Sequence, residues 1–255
     1  MQIVTLTTDF GTSDFYIALL KGSLLSAQQD IHFADITHNV KNYNIVQAAY
    51  AVRHTFRAFP TGTIHLVSVH NFYIPEPRFL LIHYMGHYFV GPDNGVFSLI
   101  FEREKIDCFE IPLQQYDILC FRNAFVHAVN HIYSKMPVDA IGPRRTEITE
   151  RFSLQAITAE TMIRGTVIHI DHYENVVLNI TRELWERYAY FRRFALFFKR
   201  HDPIIELSTT YADVEVGETL CLFNAADHLE IAINLGKAAS MLSLEVDDTV
   251  QLEFY

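Results

Sequence analysis

Ile3-Val4-Thr5-Leu6-Thr7 runs directly into Thr8-Asp9-Phe10-Gly11-Thr12-Ser13-Asp14, and this join decides the fold. The first run is short and rich in β-branched residues, which reads as a buried strand. The second is a polar loop with a glycine, ending in two residue types that cap helices. Phe15 to Gln28 then carries Ile17, Leu20, Leu24 and Leu25 at helical spacing. A second strand is expected over Ile31 to Ile36. Asn44 is placed to cap a second helix with Ile45, Ala48, Ala49, Val52 and Phe56 on one face. Pro60-Thr61-Gly62 ends it, and Thr63 to Val69 reads as a third strand. Alternating strands and helices predict a parallel sheet with right-handed crossovers. Ligands in such sheets sit beyond the carboxyl ends of the strands, which directs attention to residues 8–14, 37–43 and 70–77.

Further along, Phe79 to Tyr84 and His87 to Val90 flank Met85-Gly86 as a hairpin. Gly91-Pro92-Asp93-Asn94-Gly95 is a dense turn signal. A short helix is expected over Val96 to Glu102, a strand over Ile106 to Ile111, and a helix from Ala124 to Ser134 capped by Asn123. Residues 140–163 show no clear period and read as a connection. From Gly165 the texture changes to short strands, with Arg182 to Arg187 the one helical stretch, which suits a small sandwich or barrel. The expected architecture is an α/β N-terminal domain with a mainly parallel sheet, residues 1–160. A small all-β, barrel- or sandwich-like C-terminal domain, residues 161–255, is expected to follow.

The chain has 255 residues, half of them apolar, so it can bury a sizeable core. No apolar run approaches the roughly 20 residues that span a bilayer. The start lacks the basic region and cleavage site of a signal peptide, so the cytoplasm is the expected compartment. A formal charge of −10 opposes binding to nucleic acid. Cys108, Cys120 and Cys221 are odd in number and widely spaced, which argues against a disulfide framework or a zinc pair. Among the 13 histidines, His127 and His131 have metalloprotease spacing but lack the intervening Glu and a third ligand, and no metal is expected. G-x-G-x-x-G, the Walker P-loop and G-x-S-x-G are all missing, which disfavours dinucleotide oxidoreductases, P-loop NTPases and α/β-hydrolases.

Four segments together have a specific look: Thr8 to Asp14, Gly62-Thr63-Ile64-His65-Leu66-Val67-Ser68-Val69, Gly91 to Gly95, and Ile170-Asp171-His172-Tyr173-Glu174-Asn175. With Leu229-Glu230-Ile231-Ala232-Ile233-Asn234 and Gly236-Lys237-Ala238-Ala239, their order and separation resemble the S-adenosylmethionine hydroxide adenosyltransferase family. That family comprises adenosine-forming hydrolases related to the fluorinase and chlorinase that act on S-adenosylmethionine (SAM). The resemblance implies SAM or an adenosine-like molecule as substrate or ligand, with no separate cofactor. It also implies a homotrimer, with the ligand between the N-terminal domain of one subunit and the C-terminal domain of its neighbour. Asp9 and Asp14 match acidic residues that hold the ribose hydroxyls and the methionine end. Asn94 lies in a matching turn, and Tyr43 falls where the family has an aromatic over the ligand. Asp171, Tyr173 and Asn175 match a D-x-F-G-N segment that contacts the methionine amino acid group and the adenine. A carboxylate suits vicinal hydroxyls because it accepts two hydrogen bonds at once.

The resemblance breaks at the reacting groups. Hydrolytic members carry an Asp and an Arg in D-P-G-V-G-x-x-R after the third strand, and a His in F-H-G-R-D. Here the loop reads His70-Asn71-Phe72-Tyr73-Ile74-Pro75-Glu76-Pro77-Arg78, with His70 at the Asp position and Pro77 at the Arg position. Arg78 replaces the arginine only by a one-residue slip. Cys120 stands at the His position in Leu119-Cys120-Phe121-Arg122-Asn123. His70 carries an imidazole, the side chain most often used as a general base. Cys120, near a helix start, is expected to have a lowered pKa and so to be a possible nucleophile. Glu174 replaces a family Gly, Lys237 replaces an Asn, and Ala225 and Ala226 replace polar residues. The loop does not reproduce the small residues that cradle a halide, which disfavours halogenation. Three readings stay open: cleavage of SAM to adenosine and methionine at C5′, an inactive nucleoside binder, or an enzyme on another nucleoside using His70 or Cys120.

Overall fold

The computed structural model describes residues 2–102, 104–189, 192–199 and 201–255. The chain divides into two compact units, Met1–Ser153 and Leu154–Tyr255. Among the described residues no helix is long and apolar enough to cross a membrane.

The first unit runs β1 (Gln2–Thr8), α1 (Tyr16–Ala27), β2 (Ile31–Thr37), α2 (Ile45–Thr55), β3 (Ile64–Ser68), β4 (Phe79–Tyr84), β5 (His87–Pro92), α3 (Val96–Phe101), β6 (Asp107–Ile111), α4 (Cys120–Tyr133) and β7 (Arg144–Arg145). The sheet order is β2-β1-β3-β5-β4-β6-β7. Its β2-β1-β3-β5 half is parallel, but β4 pairs antiparallel with β5 and β6, and β7 with β6. The sheet is therefore mixed, which corrects the mainly parallel expectation. The cause is local. Met85 (φ 50°) and Gly86 (φ 77°) form a two-residue turn with both φ positive, the geometry that reverses a strand onto its neighbour.

Alternate residues of the strands enter cores on both sheet faces. Phe79 and Leu81 pack with Leu20, Leu24, Phe121 and Phe125 of α1 and α4. Leu80 and Ile82 pack with Val52, Val96 and Phe97 of α2 and α3. Fully burying one ring such as Phe125 contributes about 2–3 kcal/mol. Asn44 caps α2 as expected, its side chain accepting the Gln47 N–H at 2.9 Å, a contact typically worth about 1 kcal/mol. α4 starts one turn before the expected Asn123, at Cys120, with no side-chain cap. Apolar Cys120, Phe121, Ala124 and Phe125 lie on its buried face and extend the helix backwards.

The second unit contains β8 (Ile157–Ala159), β9 (Met162–Ile170), β10 (Val176–Thr181), α5 (Arg182–Ala189), β11 (Phe194–Phe198), β12 (Thr219–Phe223), β13 (His228–Ile233), α6 (Ala238–Leu242) and β14 (Thr249–Phe254). The strands join antiparallel in the order β11-β14-β9-β10-β13-β12, with β8 added beside β9. Ile204 and Leu207 join the sheet only through isolated bridges, to Leu196 and Cys221. The unit is not purely β. α5 buries Trp185 against Phe194, Phe223 and Phe254, and α6 buries Ala238, Ala239 and Leu242.

Candidate ligand site

In the first unit the ends of β1 and β3 build a polar cluster around one carboxylate. Asp9 Oδ2 accepts the backbone N–H of Tyr43 at 3.0 Å and of His70 at 3.2 Å. Both donors sit in the left-handed region, Tyr43 at φ 66° and His70 at φ 50°, which non-glycine residues rarely adopt. Asp9 thus holds two strained loops in place. Both hydrogen bonds fall on one oxygen, so among the described residues Asp9 Oδ1 is left to accept from a ligand. The Tyr43 and His70 rings meet edge to face at 5.3 Å. Below them, buried Asn94 donates from Nδ2 to the carbonyls of Val69 (2.9 Å) and His70 (3.1 Å) and accepts the Val96 N–H. Gly95, at φ 102°, allows the turn from Asn94 into α3. Asp9, Tyr43, His70 and Asn94 are therefore brought together. Asp14 lies exposed in the same loop and does not cap α1, whose N-cap residue is Phe15, with no side-chain hydrogen bond.

Aromatic rings from the same loops, with Phe10 next to Asp9 and Phe72 two residues after His70, form a row that was not singled out in the sequence. Phe10 lies 5.7 Å from Tyr16 and 5.6 Å from Phe121, Phe15 stacks on Tyr16 at 4.5 Å, and Phe72 meets Phe121 at 6.5 Å. Phe15, Tyr16, Tyr43 and Phe72 are exposed. The signal that could have found them is the density of Phe and Tyr in loops following strands, where packing does not demand them.

Two candidates change character. The Arg78 guanidinium is bound to Asp93, which is 1% exposed, with Nε 2.8 Å from Oδ2 and Nη2 also in contact. Asp93 Oδ1 accepts the Thr149 N–H at 2.8 Å. Arg78 is thus committed to a buried carboxylate, whose charge it neutralises. Cys120 is fully buried. Burial, then the charge of Asp117, pushes its thiol pKa up. This corrects the expectation of a lowered pKa. Cys120 does lie at the start of a helix, but burial disfavours its thiolate there.

In the second unit, Asp171 and Asn175 close a turn on each other. Asp171 Oδ1 accepts the Asn175 N–H (2.8 Å), Oδ2 accepts its amide (3.0 Å), and the Asp171 N–H reaches the Asn175 carbonyl (3.1 Å). Tyr173 stands at the tip, 75% exposed. Glu174 adopts φ 65°, and its Oε1 meets Lys237 Nζ at 2.8 Å. Two of the residues that depart from the family pattern in this unit, Glu174 and Lys237, are therefore partners. Lys237, then Ser240, holds the Glu174 carboxyl down at about 2.

One buried acid was missed. Glu230 on β13 is 3% exposed, with Oε1 accepting from Tyr211 (2.8 Å) and Oε2 from Asn224 (3.0 Å). Burial pushes its carboxyl up, partly offset by those bonds. Its signal was an acid placed between Leu229 and Ile231, out of step with the core face. Among the described residues no group of three or more His, Cys, Asp or Glu side chains is placed to hold a metal ion.

A doubly flanked sheet ending in a strand-end carboxylate beside exposed rings is a setting for a small polar ligand with an aromatic part. Comparison with known proteins narrows this. Residues 4–142 match the SAM hydroxide adenosyltransferase N-terminal domain, and residues 165–251 match the C-terminal domain. The chain belongs to the SAM hydroxide adenosyltransferase family. It is 27% identical to the (R)-S-adenosyl-L-methionine hydrolase of Methanocaldococcus jannaschii, over 99% of this chain and 96% of that protein. It is 22% identical to a fluorinase of Actinopolyspora mzabensis, over 98% of this chain and 96% of that protein. An uncharacterized conserved protein from Thermotoga maritima has a similar structure, with TM-score 0.87 and 24% identity over 98% of this chain and 99% of that one.

Proposed function

We propose that this chain binds SAM or an adenosine-like nucleoside and acts as a SAM hydrolase. The observation that carries the reading is Asp9: a carboxylate at the end of β1, held by two backbone N–H groups on one oxygen, beside exposed aromatic rings. A carboxylate so placed suits a ribose diol, and ring faces suit a purine. Asp14, Asp171, Tyr173 and Asn175 would hold the remaining parts of the ligand, in a homotrimer. In the reaction, water attacks C5′, the C5′–S bond breaks, and sulfur takes the bonding pair, so methionine leaves neutral. The proton lost by water goes to His70, which Asp9 holds by its backbone. The leaving group is already cationic, so the protein's contribution is mainly to orient and desolvate the water.

A second reading is favoured by Arg78 and Cys120. One is bound to Asp93 and the other is buried, so neither stands in for a lost reacting group. In that reading the chain holds the nucleoside without cleaving it. Incubating purified protein with SAM and following adenosine and methionine by chromatography separates the two. Hydrolysis predicts adenosine in equal amount to methionine, abolished in His70→Ala. Bound SAM recovered intact overturns hydrolysis and leaves the binder.

A further inference from the structure

We infer that Glu174 is a positioning residue: it fastens the Asp171–Asn175 turn to residues 237–240, so that Tyr173 and Asp171 are set before a ligand arrives. The inference rests on the nucleoside-binding reading above. Glu174 is engaged through both main chain and side chain. Its N–H donates to the Asp171 carbonyl at 3.1 Å, and its own carbonyl accepts the Ala239 N–H at 2.9 Å. Its Oε1 accepts from Lys237 Nζ at 2.8 Å, and its Oε2 accepts the Ser240 N–H at 3.1 Å and also the Ser240 hydroxyl. The residue adopts φ 65°, so the chain tolerates an unfavoured backbone to keep a carboxylate here.

What the clasp controls follows from its neighbours. Tyr173 is the adjacent residue and stands largely exposed, so its own packing does little to fix it. Asp171 Oδ1 and Oδ2 are both held by Asn175, so the turn moves as one piece. Glu174 is what joins that piece to α6, itself packed into the core by Ala238, Ala239 and Leu242. A turn ordered in advance loses less conformational freedom on binding, which strengthens affinity without any new contact.

The test compares Glu174→Gly, Glu174→Gln and a control, Lys199→Met, which breaks an ion pair with Asp248 elsewhere in the same unit. Glycine suits the positive φ, so E174G removes the side-chain bonds to Lys237 and Ser240, keeps the backbone bond to Ala239 and relieves the backbone. Hydrogen exchange at the amides of Asp171, Glu174 and Asn175 is expected to quicken about tenfold in E174G, while β10 and β13 stay protected. Affinity for adenosine, read by calorimetry, is expected to fall about tenfold in E174G, less in E174Q, whose amide oxygen still accepts from Ser240, and not at all in K199M. Unchanged exchange in E174G overturns the inference, as does an equal loss of affinity in the control. If the unmodified protein binds neither adenosine nor SAM, the nucleoside reading fails, and the exchange result alone decides whether Glu174 positions the turn.

Discussion

Asp9→Ala lowers the affinity for adenosine by about a hundredfold, the largest binding effect expected of any single substitution. Two losses combine. The first is direct: Asp9 Oδ1 is the oxygen left to meet a diol, and a charged acceptor for a neutral donor is worth about 1.5–3 kcal/mol. The second runs through the loops. Oδ2 accepts the N–H groups of Tyr43 and His70, each held at positive φ, and without the acceptor both segments relax toward ordinary backbone. Tyr43 then leaves its edge-to-face contact with His70, and the aromatic side of the cluster loosens with the acidic side. Asp9→Asn separates the two losses. Its amide oxygen still accepts from the loops, but the charge is gone, so the expected weakening is about tenfold. Calorimetric titration of the three proteins checks the ranking; equal affinities would remove Asp9 from the site.

The protein loses about 3 kcal/mol of stability between pH 7.5 and pH 4.5 through His65 alone. This side chain is fully buried on β3, stacked 4.8 Å from Phe89 and edge-on to Phe56 and Phe59. Its Nδ1 lies 2.8 Å from Thr5 Oγ1 and its Nε2 lies 3.1 Å from His87 Nδ1. Burial, then the neighbouring His87, pulls its pKa down to about 3. The unfolded chain takes up a proton near pH 6.5 and the folded chain does not until about pH 3, so stability is full above pH 6.5 and drains below it. His87, also lowered by burial and by His83, adds in the same direction. Urea unfolding at a series of pH values measures the slope. His65→Gln is expected to start less stable, because it disturbs the Thr5 and His87 contacts, but to lose about 3 kcal/mol less over the same range. An identical slope in both proteins would refute the assignment.

What the sequence disclosed and what it hid divide along physical lines. Asn44, the Met85-Gly86 turn and the first strand, read over Ile3 to Thr7 and found over Gln2–Thr8, were legible because each is fixed by neighbours in the chain. The antiparallel half of the first sheet followed from a turn already visible, but its extent depended on β6 and β7 joining from far along the chain. The start of α4 was misplaced because a good capping residue, Asn123, competes with the burial of Cys120 and Phe121, and burial wins. At the site, Asp9, Tyr43 and His70 were each named, yet their meeting is a long-range fact, spanning 34 and 61 residues. Arg78 and Cys120 looked available as chemical groups; only Asp93 and the apolar neighbours of Cys120 show otherwise. Glu174 and Lys237 read separately as departures from a pattern. They lie 63 residues apart, and only the fold makes them a pair.

We propose that a nucleoside-holding frame persists around Asp9 although His70, Pro77 and Cys120 stand where the family resemblance implies the reacting groups of its hydrolytic members. The most direct test is a calorimetric titration of the unmodified protein with adenosine and, separately, with SAM. Saturable binding of both at one site per chain is expected, with adenosine competing against SAM. No heat from either ligand at millimolar concentration, and no competition, would contradict it.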